Sequence, residues 1–115
     1  MREIKFRAWR PDDNNVKAHM GYSGDDNERL FRLYEGWDIM QYTGLKDKNG
    51  KEIYEGDIVK VTQDSMGFEP KSGEVKFRDG GFYVACKHYS PRFNTLYHQW
   101  EVIGNIYENP ELVSQ

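Results

Sequence analysis

Only one cysteine, Cys86, stands in the chain. An internal disulfide is therefore excluded, and the expected setting is reducing and intracellular. No apolar run approaches the roughly 20 residues a membrane-spanning helix needs. The stretch Met1 to Arg7 also lacks the hydrophobic segment of a secretory leader, so a cytoplasmic protein is expected. Charge of one sign is missing too. Sixteen basic side chains face nineteen acidic ones, for a formal net charge of −3. That balance argues against broad attraction to a phosphate backbone, although it leaves room for a local basic patch. No Gly-x-Gly-x-x-Gly or Gly-Lys-Ser/Thr stretch is present to cradle a phosphate.

What remains is a chain of 115 residues with few hydrophobics, 37%, but three Trp, eight Tyr and six Phe. A chain of this size suits one domain that buries about two-thirds of the surface its unfolded form exposes. Large rings at few positions can fill a small β core, or remain outside for a partner. Ile4, Phe6 and Ala8 alternate with Lys5 and Arg7, which predicts a strand with one buried face. Pro11 to Asn15 breaks it, and Val16 to Met20 is expected to return as a hairpin arm. Gly21 to Glu28 reads as a polar, mobile loop. Leu30 to Tyr34 and Trp37 to Tyr42 are read as strands split by Glu35 and Gly36. A helical spacing (Leu30, Leu33, Tyr34, Trp37) is the competing reading there.

Further on, Ile58 to Val61 predicts a strand. Glu74 to Phe77, the turn Asp79-Gly80-Gly81 and Phe82 to Cys86 form the clearest hairpin. Glu101 to Tyr107 predicts a last strand, with Gly104 marking a bulge or close backbone approach. Ser90 to Trp100 gives no clear reading. Many short strands with glycine turns favour a small barrel. The expected fold is mainly β: an SH3-like barrel core over residues 43–109 with an added N-terminal strand layer over 1–42, in a single domain spanning 1–115. Ile58, Val61, Val75, Phe77, Phe82, Val84 and Ile106 are its expected core.

The stretch Gln41 to Val61 sets turns at Asn49-Gly50 and Gly56-Asp57 between β-like runs. It closely resembles the YopX family, small proteins carried by bacteriophages and prophages. Ile4 to Trp9, Gly73 to Val75 with Gly81 to Val84, and Glu101 to Leu112 extend the resemblance nearly end to end. The family often carries Asp after the opening Trp9; Arg10 stands here instead. The resemblance implies a phage or prophage origin, hence the cytoplasm of a bacterial host, a mainly β fold and self-association. It implies no catalytic residues.

Several constellations invite a chemical reading. Cys86 and His88 share a strand face and, with His98 or His19, are of types that bind zinc. The usual Cys-x-x-Cys pair is missing, and Cys86 continues the apolar face of Phe82 and Val84, so packing is the better account. A Cys86-His88 nucleophile pair lacks a third, orienting group, and the two residues sit about 7 Å apart along a strand. Asp47, Glu52, Glu55 and Asp57 crowd one segment, where Asp47 and Asp57 read as turn builders. The expected function is therefore non-enzymatic, with no cofactor and no metal. The chain is read as a protein-binding or self-assembly module presenting solvent-facing Trp37, Tyr42, Tyr54 and Tyr83 to a phage or host protein. The alternative is nucleic-acid binding, with Arg7, Lys76, Arg78 and Lys87 on phosphates and nearby rings stacking on bases.

Overall fold

The structure, a computed structural model, describes residues 4–64, 72–86 and 98–112, with side chains throughout except at 61–64 and 98–99. The fold is mainly β, with two four-stranded antiparallel sheets, one curled into a half-barrel. The first sheet holds β1 (Phe6–Arg10), β2 (His19–Tyr22), β3 (Asp38–Lys46) and β4 (Glu52–Tyr54) in the order β2-β1-β3-β4. The second holds β5 (Asp57–Asp64), β6 (Ser72–Arg78), β7 (Gly81–Cys86) and β8 (His98–Asn105) in the order β7-β6-β5-β8. No helix among the described residues is long and apolar enough to cross a membrane.

The predicted hairpin is present as β6 and β7. Asp79 and Gly80 take φ of 54° and 80°, the left-handed pair that a two-residue turn between twisted strands requires. The second hairpin arm near Met20 is also present, as β2, paired with β1 from Arg7↔Tyr22 to Arg10↔His19.

The stretch read as loop and strand around residue 30 is instead a short helix, α1 (Asn27–Leu33). Asp26 caps it by accepting from the Arg29 N–H, Glu28 sits in the first turn and Arg32 in the last. These caps outweigh the β preference of Phe31 and Tyr34. The apolar spacing of the competing reading supplies Leu30, which is buried, whereas Leu33 stays exposed. The loop expected at Gly21 to Glu28 thus shrinks to the few residues between β2 and α1.

Ile53, Val59, Val75, Phe82, Val84 and Trp100 form one buried cluster, with Leu45, Cys86 and Val102 packed against it. Ile58, Val75, Phe82 and Val84 are buried as expected, and Ile106 is partly buried. The Val61 side chain lies outside the described residues. Phe77 departs from its expected place, being 50% exposed. It shares the inward face of β6 with Val75, but β5 starts opposite Val75 and does not extend far enough to cover it. Trp100, in the stretch without a clear reading, is 1% exposed and central.

The N-terminal strand also corrects the expectation of one wet face. Ile4 is exposed while Arg7 is only 2% exposed. Both faces of the first sheet are covered. On one, Phe6 meets Phe31 of α1 with ring centroids 5.1 Å apart. On the other, Arg7 reaches the second sheet: its Nη2 donates to Asp57 Oδ1 at 2.8 Å and to the Glu55 carbonyl at 3.2 Å. Asp57 Oδ2 accepts from the Tyr54 N–H at 2.8 Å, and the guanidinium lies 4.8 Å from the Tyr54 ring centroid. Burial pushes the Asp57 carboxyl up, and Arg7 together with the Tyr54 N–H pulls the other way.

Asp47 ties the sheets at a second place. Its Oδ1 accepts from the Asn49 and Lys51 N–H groups, and its Oδ2 accepts from Val102 of β8 at 3.0 Å. The Lys48 N–H donates to the Trp100 carbonyl. Burial raises the Asp47 carboxyl pKa, but the three N–H donors outweigh it and hold the group below its ordinary value.

Two outcomes follow from these ties. Arg7→Ala strands a buried carboxylate and should cost about 3–5 kcal/mol in urea denaturation. A loss under about 1 kcal/mol would show that the pair does not hold the sheets together. For Asp47, a carboxyl depressed in the folded state contributes stability above its unfolded pKa and loses it as pH falls. The stability gap between wild type and Asp47→Asn should therefore be widest near neutral pH and shrink below about pH 4. A gap that does not change with pH would remove the carboxylate from the account.

Candidate functional site

The chain crosses between the sheets over Tyr54 to Asp57, and this crossover opens a groove. Glu55 donates its N–H to the Gln41 carbonyl of β3, while Gly56 donates its own to the Val75 carbonyl of β6. Gly56 takes φ of 84°, and a Cβ there would press on the Met40 sulfur, so this corner suits glycine. The Gly56 carbonyl accepts from Ile106, which closes one wall.

The resulting open groove has a volume of about 380 Å³. Ile39 and Met40 come from β3, Val75 and Phe77 from β6, and Ile106 and Tyr107 from the segment after β8. Ile39 is 39% exposed and, like Phe77, stands on an edge of the groove with its apolar surface in water. Asp38, Glu55, Glu74 and Lys76 make up the charged lining. The lining thus offers apolar surface, three carboxylates, one lysine and one tyrosine.

Its walls are held in place. The Tyr107 hydroxyl donates to Asp38 Oδ2 at 2.9 Å, and its ring stacks on Trp9 at 5.5 Å. Burial, then the bond to Asp38, pushes the Tyr107 phenol up to about 12. Glu55 Oε1 accepts from the Gln41 N–H at 2.8 Å. Burial raises the Glu74 carboxyl, with Lys76 drawing it back.

The residues proposed from sequence are scattered. Tyr42 and Tyr54 are not solvent-facing: they are 4% and 3% exposed, opposite each other on β3 and β4, with ring centroids 5.4 Å apart. Their strand alternation is real, but the covered face is the one they share with the crossover. Burial and the neighbouring Glu52 push the Tyr54 phenol up. Trp37 is 40% exposed, just before β3, and Tyr83 is half-buried beneath Arg78, 4.8 Å from its ring centroid. Arg7 is corrected as a phosphate ligand, since its guanidinium is committed to Asp57 inside the protein. Lys76 and Arg78 are exposed, each 4.0 Å from a carboxylate, Glu74 and Asp79 respectively. Lys87 lies outside the described residues.

Among the described residues no group of three or more ligating side chains is brought together. His19 is engaged elsewhere, with Nε2 3.0 Å from the Tyr34 hydroxyl and Nδ1 2.9 Å from the Lys17 carbonyl. His88 and the His98 side chain lie outside the described residues. The groove residues Ile39, Asp38 and Tyr107 were missed because nothing in local sequence shows where one strand stops short of its neighbour.

The family model described as YopX protein matches residues 5–114. The SPbeta prophage-derived uncharacterized protein YopX of Bacillus subtilis (strain 168) is 40% identical over 70 residues, covering 56% of this chain and 52% of that protein. The chain thus matches about half the length of that curated relative. The crystal structure of protein EF1440 from Enterococcus faecalis is similar over 98% of this chain and 99% of its own, at 26% identity and a TM-score of 0.54.

The burial pattern separates core rings from groove rings by experiment. Tyr42→Ser should destabilise the protein by about 3–5 kcal/mol in urea denaturation, whereas Phe77→Ser should change stability by about 1 kcal/mol or less. Equal losses would mean that Phe77 is part of the core and not an exposed lip of the groove.

Proposed function

The chain belongs to the YopX family, and from that premise we propose a non-enzymatic accessory protein of phage or prophage origin that binds another protein inside the host cell. The observation that carries this reading is the groove between the sheets, where Ile39 and Phe77 keep large apolar side chains exposed on a braced frame. Concave sites with an apolar lining and a few fixed polar groups are where binding concentrates. The prophage origin of the Bacillus subtilis relative supports the genomic setting.

Binding of nucleic acid draws less support. Arg7 is held inside by Asp57, and the groove carries three carboxylates against one lysine. A phosphate backbone approaching that lining meets like charge.

Display of random peptides on the immobilised protein tests the reading, with Phe77→Ser as counter-screen. Enriched peptides should bind the wild type and lose about tenfold or more on the variant. Peptides that bind both forms equally would place the site elsewhere. Anisotropy titrations with single-stranded DNA, duplex DNA and RNA should show no saturable binding at low salt. Binding that weakens steeply with salt would install the nucleic-acid reading instead.

A further inference from the structure

The groove is bounded by two strand edges that run out of partners among the described residues. In the β1–β3 ladder, the Tyr42 N–H donates to the Lys5 carbonyl. Backbone groups alternate sides along a strand, so Met40 and Asp38 also face β1, while Ile39 and Gln41 face the other way. Gln41 is satisfied there by Glu55, through its carbonyl and its N–H alike. Ile39 lies beyond the reach of β4, which ends at Tyr54.

β6 shows the same arrangement from the opposite side. The Val75 carbonyl accepts from Gly56, which turns the backbone groups of Gly73, Val75 and Phe77 toward β5. β5 begins at Asp57, so Phe77 has no neighbour there among the described residues. The N–H and C=O groups of Ile39 and of Phe77 thus point toward the gap left by the crossover. Both residues line the same groove.

Edge groups of this kind are a template for a further strand, and proteins that do not use them protect them with charge, proline or a cover. Here the edge positions carry Ile39 and Phe77, with no proline. The charged lining is mostly acidic: Asp38, Glu55 and Glu74 against Lys76. We propose that the occupant of the groove is an extended, basic segment of a partner protein, added as a strand beside Ile39 or Phe77 with its Lys or Arg side chains against these carboxylates. This inference rests on reading the groove as a protein-binding site and specifies what enters it. Main-chain bonds supply the fit, alternate apolar side chains cover Ile39 and Phe77, and the carboxylates select for positive charge.

The test uses capped, fluorescein-labelled hexapeptides titrated against the full chain by anisotropy. One alternates Lys and Val, one alternates Glu and Val, and two are the Lys-Val peptide N-methylated at alternate amides, one in each register. The Lys-Val peptide should bind about tenfold or more tighter than the Glu-Val one, and N-methylation in one of the two registers should cost about tenfold or more. Glu74→Gln should weaken the Lys-Val peptide with little effect on the Glu-Val one, and Phe77→Ser should weaken both. Undiminished binding of both N-methylated registers overturns strand addition but leaves a protein-binding groove. The same holds if the Lys-Val peptide fails while display-selected peptides still lose binding on Phe77→Ser. Peptide binding indifferent to Phe77→Ser overturns the groove itself. A wild-type dimer that Phe77→Ser converts to a monomer, measured by sedimentation, would make the occupant a second copy and overturn the basic partner.

Discussion

Arg7 and Asp57 are 50 residues apart in sequence and belong to different sheets, yet their side chains meet at 2.8 Å in the interior. Two charges so thoroughly removed from water gain little on balance, because desolvation consumes most of their attraction. Their value lies in what each arrangement excludes. Any slip between the sheets would leave a buried guanidinium or carboxylate alone, a state several kcal/mol less stable. The pair also has dependents: Asp57 holds the Tyr54 N–H, Arg7 holds the Glu55 carbonyl and covers the Tyr54 ring. The path of the chain from one sheet to the other is thereby set at Tyr54 and Glu55 before Gly56 completes the turn into β5.

Turn chemistry made much of this fold legible. Asn49-Gly50, Gly56-Asp57 and Asp79-Gly80 each mark a corner that the structure contains, because few residues tolerate those backbone angles. The hairpin of β6 and β7 and the buried face of Val75, Phe82 and Val84 followed from alternation alone, while Ile58 is buried on the opposite face of the sheet. Alternation failed where a sheet is covered on both faces. On β1 it assigned Arg7 to solvent, since a strand pattern records two faces but not what lies beyond each. Tyr42 and Tyr54 were misplaced for the same reason. The helix was hidden by β-prone Phe31 and Tyr34, and its decisive signal, the Asp26 cap, is a single residue inside a polar run.

The groove belongs to a different class of feature. It arises where β4 and β5 stop, so that β3 and β6 each extend beyond their partner. Strand length differences of this kind come from pairing over long sequence separation, which no local pattern encodes. The YopX resemblance covered Gln41 to Val61, with a turn at Gly56-Asp57, without revealing that the chain changes sheets there or that an opening lies beside it.

The energetic standing of Phe77 links the two themes. A phenylalanine half in water forgoes part of the roughly 1.5–3 kcal/mol that full burial contributes. Extending β5 toward Glu55 would cover it, but the Glu55 N–H is engaged by Gln41, its carbonyl by Arg7 and its side chain by the Gln41 N–H. The interactions that join the sheets therefore prevent β5 from closing over Phe77. An incoming segment would meet walls already fixed by Tyr107, Asp38 and the Arg7–Asp57 pair, so little ordering of the protein would offset its binding. The rigidity of the joint and the openness of the groove have one cause, the commitment of the crossover to both sheets at once.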